Sequence, residues 1–365
     1  MLKEYQGALK DLDKADVIEP NNAFTLRTRG NVKYMLDDYQ GALEDLDKAD
    51  VLEPNNALTL RNRANVKRML KEYQGALEDF DKVDVLEPNN AFTLRTRGYV
   101  QYMLKEYQRA LKDLDKADVL EPNNALTLRN RANVKRMLKE YQGALEDLDK
   151  ADVLEPNNAF TLRTRGDVKH MLKEYEGALK DLDKADVIQP NNAFTLKSRG
   201  NVTYMLDDYQ GALEDLDKAD VIEPNNAFTL KIRGNVKYML DDYQGAFEDL
   251  DKADVIEPNN AFTLRTRGNV KYMLDDYQGA LKDLDKANVI EPNNAFTLRT
   301  RGDVKYMLDD YQGALEDLDK ADVLEPNNAF TLRSRENVKK MLKKYQGGWR
   351  TLTRLMFLNQ TMHSP

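Results

Sequence analysis

Ten of the eleven prolines stand at 20, 54, 88, 122, 156, 190, 224, 258, 292 and 326, a spacing of 34 each time, with nearly identical text between them. A fixed period of this length means that apolar residues are buried by stacking copies of one small unit, so chain length says little about the number of domains. Counted from the alanine three after each proline, residues 23–328 hold nine full repeats. Residues 1–22 are the second half of a repeat and 329–365 a divergent last one, and the whole is expected to form one continuous solenoid.

One repeat, residues 23–56, reads as two helices. Asn21 and Asn22 follow Pro20 and can cap a helix from about Ala23 to Leu36; Asp37 or Asp38 can cap a second from about Tyr39 to Glu53, which Pro54 ends. Neither helix has enough apolar surface to stand alone, and stacked copies bury a continuous seam.

A 34-residue helix pair carrying Leu26, Gly30, Tyr39, Ala42, Leu46, Ala49 and Pro54 resembles the tetratricopeptide repeat over essentially the whole chain. The departures are Arg29 where the pattern has Leu, Lys33 where it has an aromatic residue, and Leu26 for Trp. The resemblance implies an all-α, right-handed superhelical α-solenoid of helix-turn-helix repeats, with the first helices lining a concave surface that meets ligands.

The stretch TLRTRGNVKYM, residues 25–35, sets two arginines two positions apart. At about 100° per residue they project some 200° apart and cannot share a role. Arg29 falls inside the apolar arc of Leu26, Val32 and Leu36, and each repeat has its equivalent, from Arg63 and Arg97 to Arg131 and onward to Arg335. A buried cation needs a partner. Asp45, invariant through Asp79, Asp113 and Asp147 to Asp317, stands at about the right height on the second helix, so bidentate Arg29–Asp45 and Arg131–Asp147 bridges are expected. Asp50 is the alternative partner.

Arg27 lies on the opposite face with Phe24, Asn31, Tyr34 and Met35. Stacking turns it into a ladder of Arg27, Arg61, Arg95, Arg129, Arg163, Lys197, Lys231, Arg265, Arg299 and Arg333. Beside it run Asn31, Asn65, Asn133, Asn201, Asn235 and Asn269, interrupted by Tyr99, Asp167 and Asp303. A third line includes Tyr34, Tyr102 and Tyr238, with Arg68, Arg136 and His170 replacing tyrosine. These residues are expected to stand free on a basic, amide-rich and aromatic groove, whereas the second helix carries Glu44, Asp45, Asp47, Asp50 and Glu53 and forms an acidic outer wall. A net charge of -8 therefore describes the groove poorly.

Such a groove suits an extended peptide or protein tail, acidic or ending in a carboxylate, because guanidinium forks bind carboxylates and amides satisfy peptide groups. Repetition also suits a repetitive partner, with avidity across repeats. The resemblance supplies part of a two-carboxylate clamp, in Arg27, Asn31 and Asn62 and again in Arg95 and Asn130, but Phe92 and Thr96 occupy the places of its third-repeat basic pair. Two other readings stand beside this one. An architectural or self-assembling rod would need no ligand, and chain ends that begin halfway through a repeat or carry the apolar stretch WRTLTRLMFL (349–358) favour homo-oligomers or a piece of a longer array. Single-stranded nucleic acid could use Arg and Tyr, against a sequence pI near 5.2.

Enzymatic activity is not expected. The carboxylates recur identically on helix faces, His170 and His363 are isolated, and cysteine is absent, so neither a catalytic centre, a metal nor a cofactor is indicated. The lack of cysteine, a signal-like N-terminus or a long apolar run places the chain in the cytoplasm or nucleus, with no membrane segment. Phe80, Val83, Arg109 and Phe247 read as local packing changes.

Overall fold

The computed structural model describes residues 2–344; the expectations placed on His363 and 349–358 lie outside the described residues. The chain forms two compact units, residues 1–189 and 190–365. In the first, the leading helices of the repeats are α2 (Ala23–Met35), α4 (Ala57–Met69), α6 (Ala91–Met103), α8 (Ala125–Met137) and α10 (Ala159–Met171). The second helices are α1 (Leu2–Ile18), α3 (Tyr39–Leu52), α5 (Tyr73–Leu86), α7 (Tyr107–Leu120), α9 (Tyr141–Leu154) and α11 (Tyr175–Ile188). In the second unit α12 (Ala193–Met205), α14 (Ala227–Met239), α16 (Ala261–Met273) and α18 (Ala295–Met307) lead; α13 (Tyr209–Ile222), α15 (Tyr243–Ile256), α17 (Tyr277–Ile290) and α19 (Tyr311–Leu324) follow. Residues 329–344 are helical as well. No helix among the described residues is long and apolar enough to cross a membrane.

The boundaries follow from local chemistry. Asn22 caps α2 by accepting the Thr25 N–H at 3.0 Å. The helix ends at Met35, one residue before the expected limit, because Asp37 turns into the left-handed region at φ 60°. There its N–H bonds the Tyr34 carbonyl at 3.1 Å and the Asp38 N–H reaches the Lys33 carbonyl at 2.9 Å, a Schellman closure without glycine.

This turn comes in two chemistries. In the Asp-Asp form, Asp38 caps α3 through the Gly41 N–H at 3.0 Å and Asp37 accepts the Tyr39 hydroxyl at 2.6 Å. In the Lys-Glu form, Lys71 takes the left-handed position and Glu72 makes no side-chain cap bond. The difference decides which glycine is needed. A Cβ on Gly41 would come within 2.3 Å of the capping Asp38 carboxylate, whereas at Gly143, after a Glu turn, the nearest atom is Lys135 Cδ at 3.4 Å. Accordingly Arg109 occupies this position after Glu106, and pairs with it at 2.6 Å.

Ala42, Leu46 and Ala49 are fully buried between α2 and α3. Gly30 permits that approach, since a Cβ there would lie 2.9 Å from Leu46 Cγ and 3.1 Å from the Ala42 carbonyl. The cluster of Ala42, Leu43 and Leu46 takes Val66 from α4, so each repeat completes its core with its successor. The same arrangement recurs in the second unit as Ala246, Leu250 and Val270.

Candidate functional site: the face of the first helices

The wall behind this face is held by Arg29. Its Nε donates to Asp45 Oδ2 at 2.8 Å and Nη2 to Asp45 Oδ1 at 2.7 Å, a bidentate fork. Nη1 reaches back to the preceding second helix, donating to Asp13 at 3.2 Å and Asp16 at 2.9 Å. Arg131 does the same with Asp147 at 2.9 and 2.7 Å, Asp115 at 3.2 Å and Asp118 at 2.9 Å. Asp50 therefore does not substitute for Asp45: it bonds Arg63 of the next repeat at 2.9 Å, so one guanidinium ties three carboxylates from two repeats. Lys33 adds a second cation to Asp45 at 2.8 Å. Burial by itself would raise the Asp45 carboxyl, but the bonds from Arg29 and Lys33 outweigh it and hold the group below the usual aspartate range. Asp181 and Asp283 are held down in the same way.

Arg27 corrects an expectation. Its side chain is only 12% exposed, pairs with Glu53 at 3.3 Å and donates to Thr59 of the next repeat at 3.3 Å. The guanidinium also lies 5.6 Å from the Phe24 ring. The rungs repeat as Arg61 with Glu87, Arg95 with Glu121 at 3.2 Å, Arg129 with Glu155 at 2.6 Å, Lys231 with Glu257 at 2.9 Å and Arg265 with Glu291 at 3.4 Å. Lys197 stands 3.6 Å from Glu223. At Arg163, Gln189 replaces the glutamate, and burial lowers the guanidinium pKa. Arg299 stacks between Phe296 and Phe330 at 5.1 and 5.9 Å. The reason lies in where Glu53 sits. It is the C-cap of α3, and the turn at Pro54 swings it onto the first-helix face, away from the acidic wall to which the sequence reading assigned it.

The amide and aromatic lines are joined across repeats. Asn235 donates to the Tyr204 hydroxyl at 2.7 Å, 31 residues earlier. The same geometry puts Arg136 3.1 Å from Asp167 and the Arg68 guanidinium 5.8 Å from the Tyr99 ring centroid. Tyr34, Tyr102 and Tyr238 pack against Tyr39, Tyr107 and Tyr243 with ring centroids 5.6, 5.9 and 5.6 Å apart. Asn65 turns inward and donates to the Arg61 carbonyl at 3.1 Å. Burial raises the Asp303 carboxyl, against a bond from Ser334 and the charge of Arg299.

Of the candidate groove residues only Asn31 is exposed; Asn62, Asn130, Asn133, Asn201 and Asn269 are half-buried like the rest, and Arg129 is buried. Besides Asn31 and the rung glutamates, the face exposes apolar side chains: Phe24 is 65% exposed, Met35 49% and Leu58 47%, with equivalents in later repeats. The sequence signal was available, since Phe24 and Met35 project to this face. In the second unit Phe262, Arg265, Phe296, Asn235 and Glu325 line an open cleft of about 400 Å³.

No protein-family model and no curated protein sequence matches the chain. Solved structures do. The Cut9–Hcn1 hetero-tetramer of the APC/C matches over 91% of this chain and 81% of its own, at TM-score 0.62 and 13% identity. A tetratricopeptide repeat protein from Parabacteroides merdae matches over 68% and 98%, at TM-score 0.51 and 20% identity. The Pseudomonas aeruginosa pilF protein matches over 57% and 94%, at TM-score 0.50 and 20% identity. The fold is thus an α-solenoid of stacked helix pairs. Its helix pairs have the fold of the tetratricopeptide repeat protein matched above.

Proposed function

We propose that the chain is a protein-interaction scaffold whose first-helix face receives an extended peptide or protein tail. The observation that carries this reading is the cleft between α16 and α18, where two phenylalanines flank Arg265 and polar groups line the rim. Apolar side chains of a ligand gain from covering Phe262 and Phe296, and peptide groups find amide partners. Acidic residues are read by exchange. The cation of each rung is sealed while its glutamate is about half exposed, as in Arg265 at 18% against Glu291 at 52%, so a ligand carboxylate can replace Glu291 and return it to water. Neutralised rungs favour such a ligand over a long polyanion, whose binding rests on unpaired cations.

The test is fluorescence anisotropy with a fluorescein-labelled octapeptide of alternating Glu and Leu, and its Gln-Leu counterpart. Phe262→Ser combined with Phe296→Ser should weaken binding about tenfold, and Glu291→Gln should strengthen the Glu-Leu peptide selectively. Affinity indifferent to all three changes would remove the groove as the binding site.

A further inference from the structure

The helices α4 and α8 have the same sequence, ALTLRNRANVKRM, and set Arg68 and Arg136 where most repeats carry tyrosine. The difference lies one repeat further on. Asp167 neutralises Arg136 at 3.1 Å, while the equivalent partner of Arg68 is Tyr99, whose ring centroid is 5.8 Å away. No carboxylate among the described residues lies within ion-pair distance of Arg68; its Nε is buried without an acceptor, as is that of Arg136, so the two differ in the carboxylate alone. An aromatic face attracts a guanidinium but accepts none of its N–H bonds and cancels none of its charge. The neighbouring cation on the same face of α4, Arg61, is already taken by Glu87.

We propose that Arg68, seated on Tyr99, is a carboxylate subsite on the first-helix face of the first unit that takes an Asp or Glu side chain of a peptide ligand. The assignment rests on the groove reading above. The half-buried guanidinium keeps unused donors beside the Tyr99 ring, so a carboxylate arriving there forms charge-assisted bonds without displacing a residue of the chain. At Arg136 the same helix offers no such vacancy, because Asp167 already fills it. The two positions differ in one neighbour and therefore serve as site and control.

The experiment exchanges those neighbours and follows the labelled Glu-Leu and Gln-Leu octapeptides at low salt, with circular dichroism to verify the helix content of each variant. Arg68→Gln and Tyr99→Asp should each remove one carboxylate-dependent Glu-Leu site, seen as lowered stoichiometry, and leave the Gln-Leu peptide unaffected. Arg136→Gln should change neither. Asp167→Asn should expose Arg136 and add a second carboxylate-dependent site, seen as increased stoichiometry. If the Glu-Leu peptide binds and Tyr99→Asp and Arg68→Gln leave its stoichiometry unchanged, the subsite is wrong while the groove stands. If neither peptide binds any of the proteins, the groove reading fails, and the subsite with it.

Discussion

Arg29 in the wall and Arg27 on the face below it are shielded to nearly the same degree, with side chains 10% and 12% exposed. Their partners are not. Asp45 is 2% exposed and Glu53 50%. Exposure of the cation alone would class the two together, whereas exposure of the anion separates them. A carboxylate that cannot reach water depends on its partner, and one that can is replaceable. The wall can thus be a fixed structural element and the face an exchangeable one although both are built from arginine.

The largest expected effect comes from breaking the wall. Arg131→Met leaves Asp147 buried with only Lys135 against it and strands Asp115 and Asp118, at a cost of about 3–5 kcal/mol in urea-unfolding free energy. Adding Asp147→Leu removes the stranded carboxylate and should recover much of the loss. Equal damage from the single and the double change would show that the bridge is not what holds these helices.

Smaller per carboxylate is the acid response. Asp45, Asp181 and Asp283 have folded pKa values below their ordinary 3.8, so the folded state binds fewer protons than the unfolded one as the pH falls. Their stabilisation is complete above that ordinary value and is lost as the pH drops through the depressed folded values. Arg29→Met should flatten the part of this loss that belongs to Asp45. A thermal melt series between pH 6 and pH 2 reads it, and identical slopes in the two proteins would contradict the assignment.

Much of the wall was legible before any coordinates. The period gave the hairpin, the asparagines gave the caps, and about 100° per residue placed Arg29 in the apolar arc facing Asp45. The same rule misled at Arg27, because its partner Glu53 lies at the helix C-cap, where the helical angle no longer applies and Pro54 redirects the chain. The joined pairs were missed for another reason: they link different repeats. Their signature is nevertheless in the text, since Tyr99 interrupts the asparagine line 31 residues after Arg68, and Asp167 does so 31 residues after Arg136. Deviations that travel together at a spacing other than the period mark contacts between copies.

The face should give way more gently. Arg129→Met frees Glu155, 51% exposed, to hydrate, so the expected loss is about 0.5–1 kcal/mol against the several expected at Arg131 two positions later. The comparison holds composition, helix and cation constant and varies only the anion. A loss at Arg129 as large as that at Arg131 would mean that the rungs are as structural as the wall, leaving no exchangeable carboxylate for a ligand to replace.

The smallest effect is a gain, and it asks whether the wall is limited by its weakest joint. Asn288 stands where the other described second helices carry the aspartate that reaches forward, and its Oδ1 lacks a hydrogen-bond partner. Arg301 consequently keeps Asp317 at 2.7 and 2.5 Å and Asp285 at 3.2 Å, with no third carboxylate such as Asp220 gives Arg233 at 2.9 Å. Asn288→Asp should complete the set and raise stability by about 0.5–1 kcal/mol, less than a buried pair because the added group sits at the edge of the wall. Added salt should shrink the gain, since the new pair is partly open to solvent. A neutral or destabilising result would mean that two carboxylates already satisfy each guanidinium, and that the inter-repeat aspartate serves the start of the next helix instead.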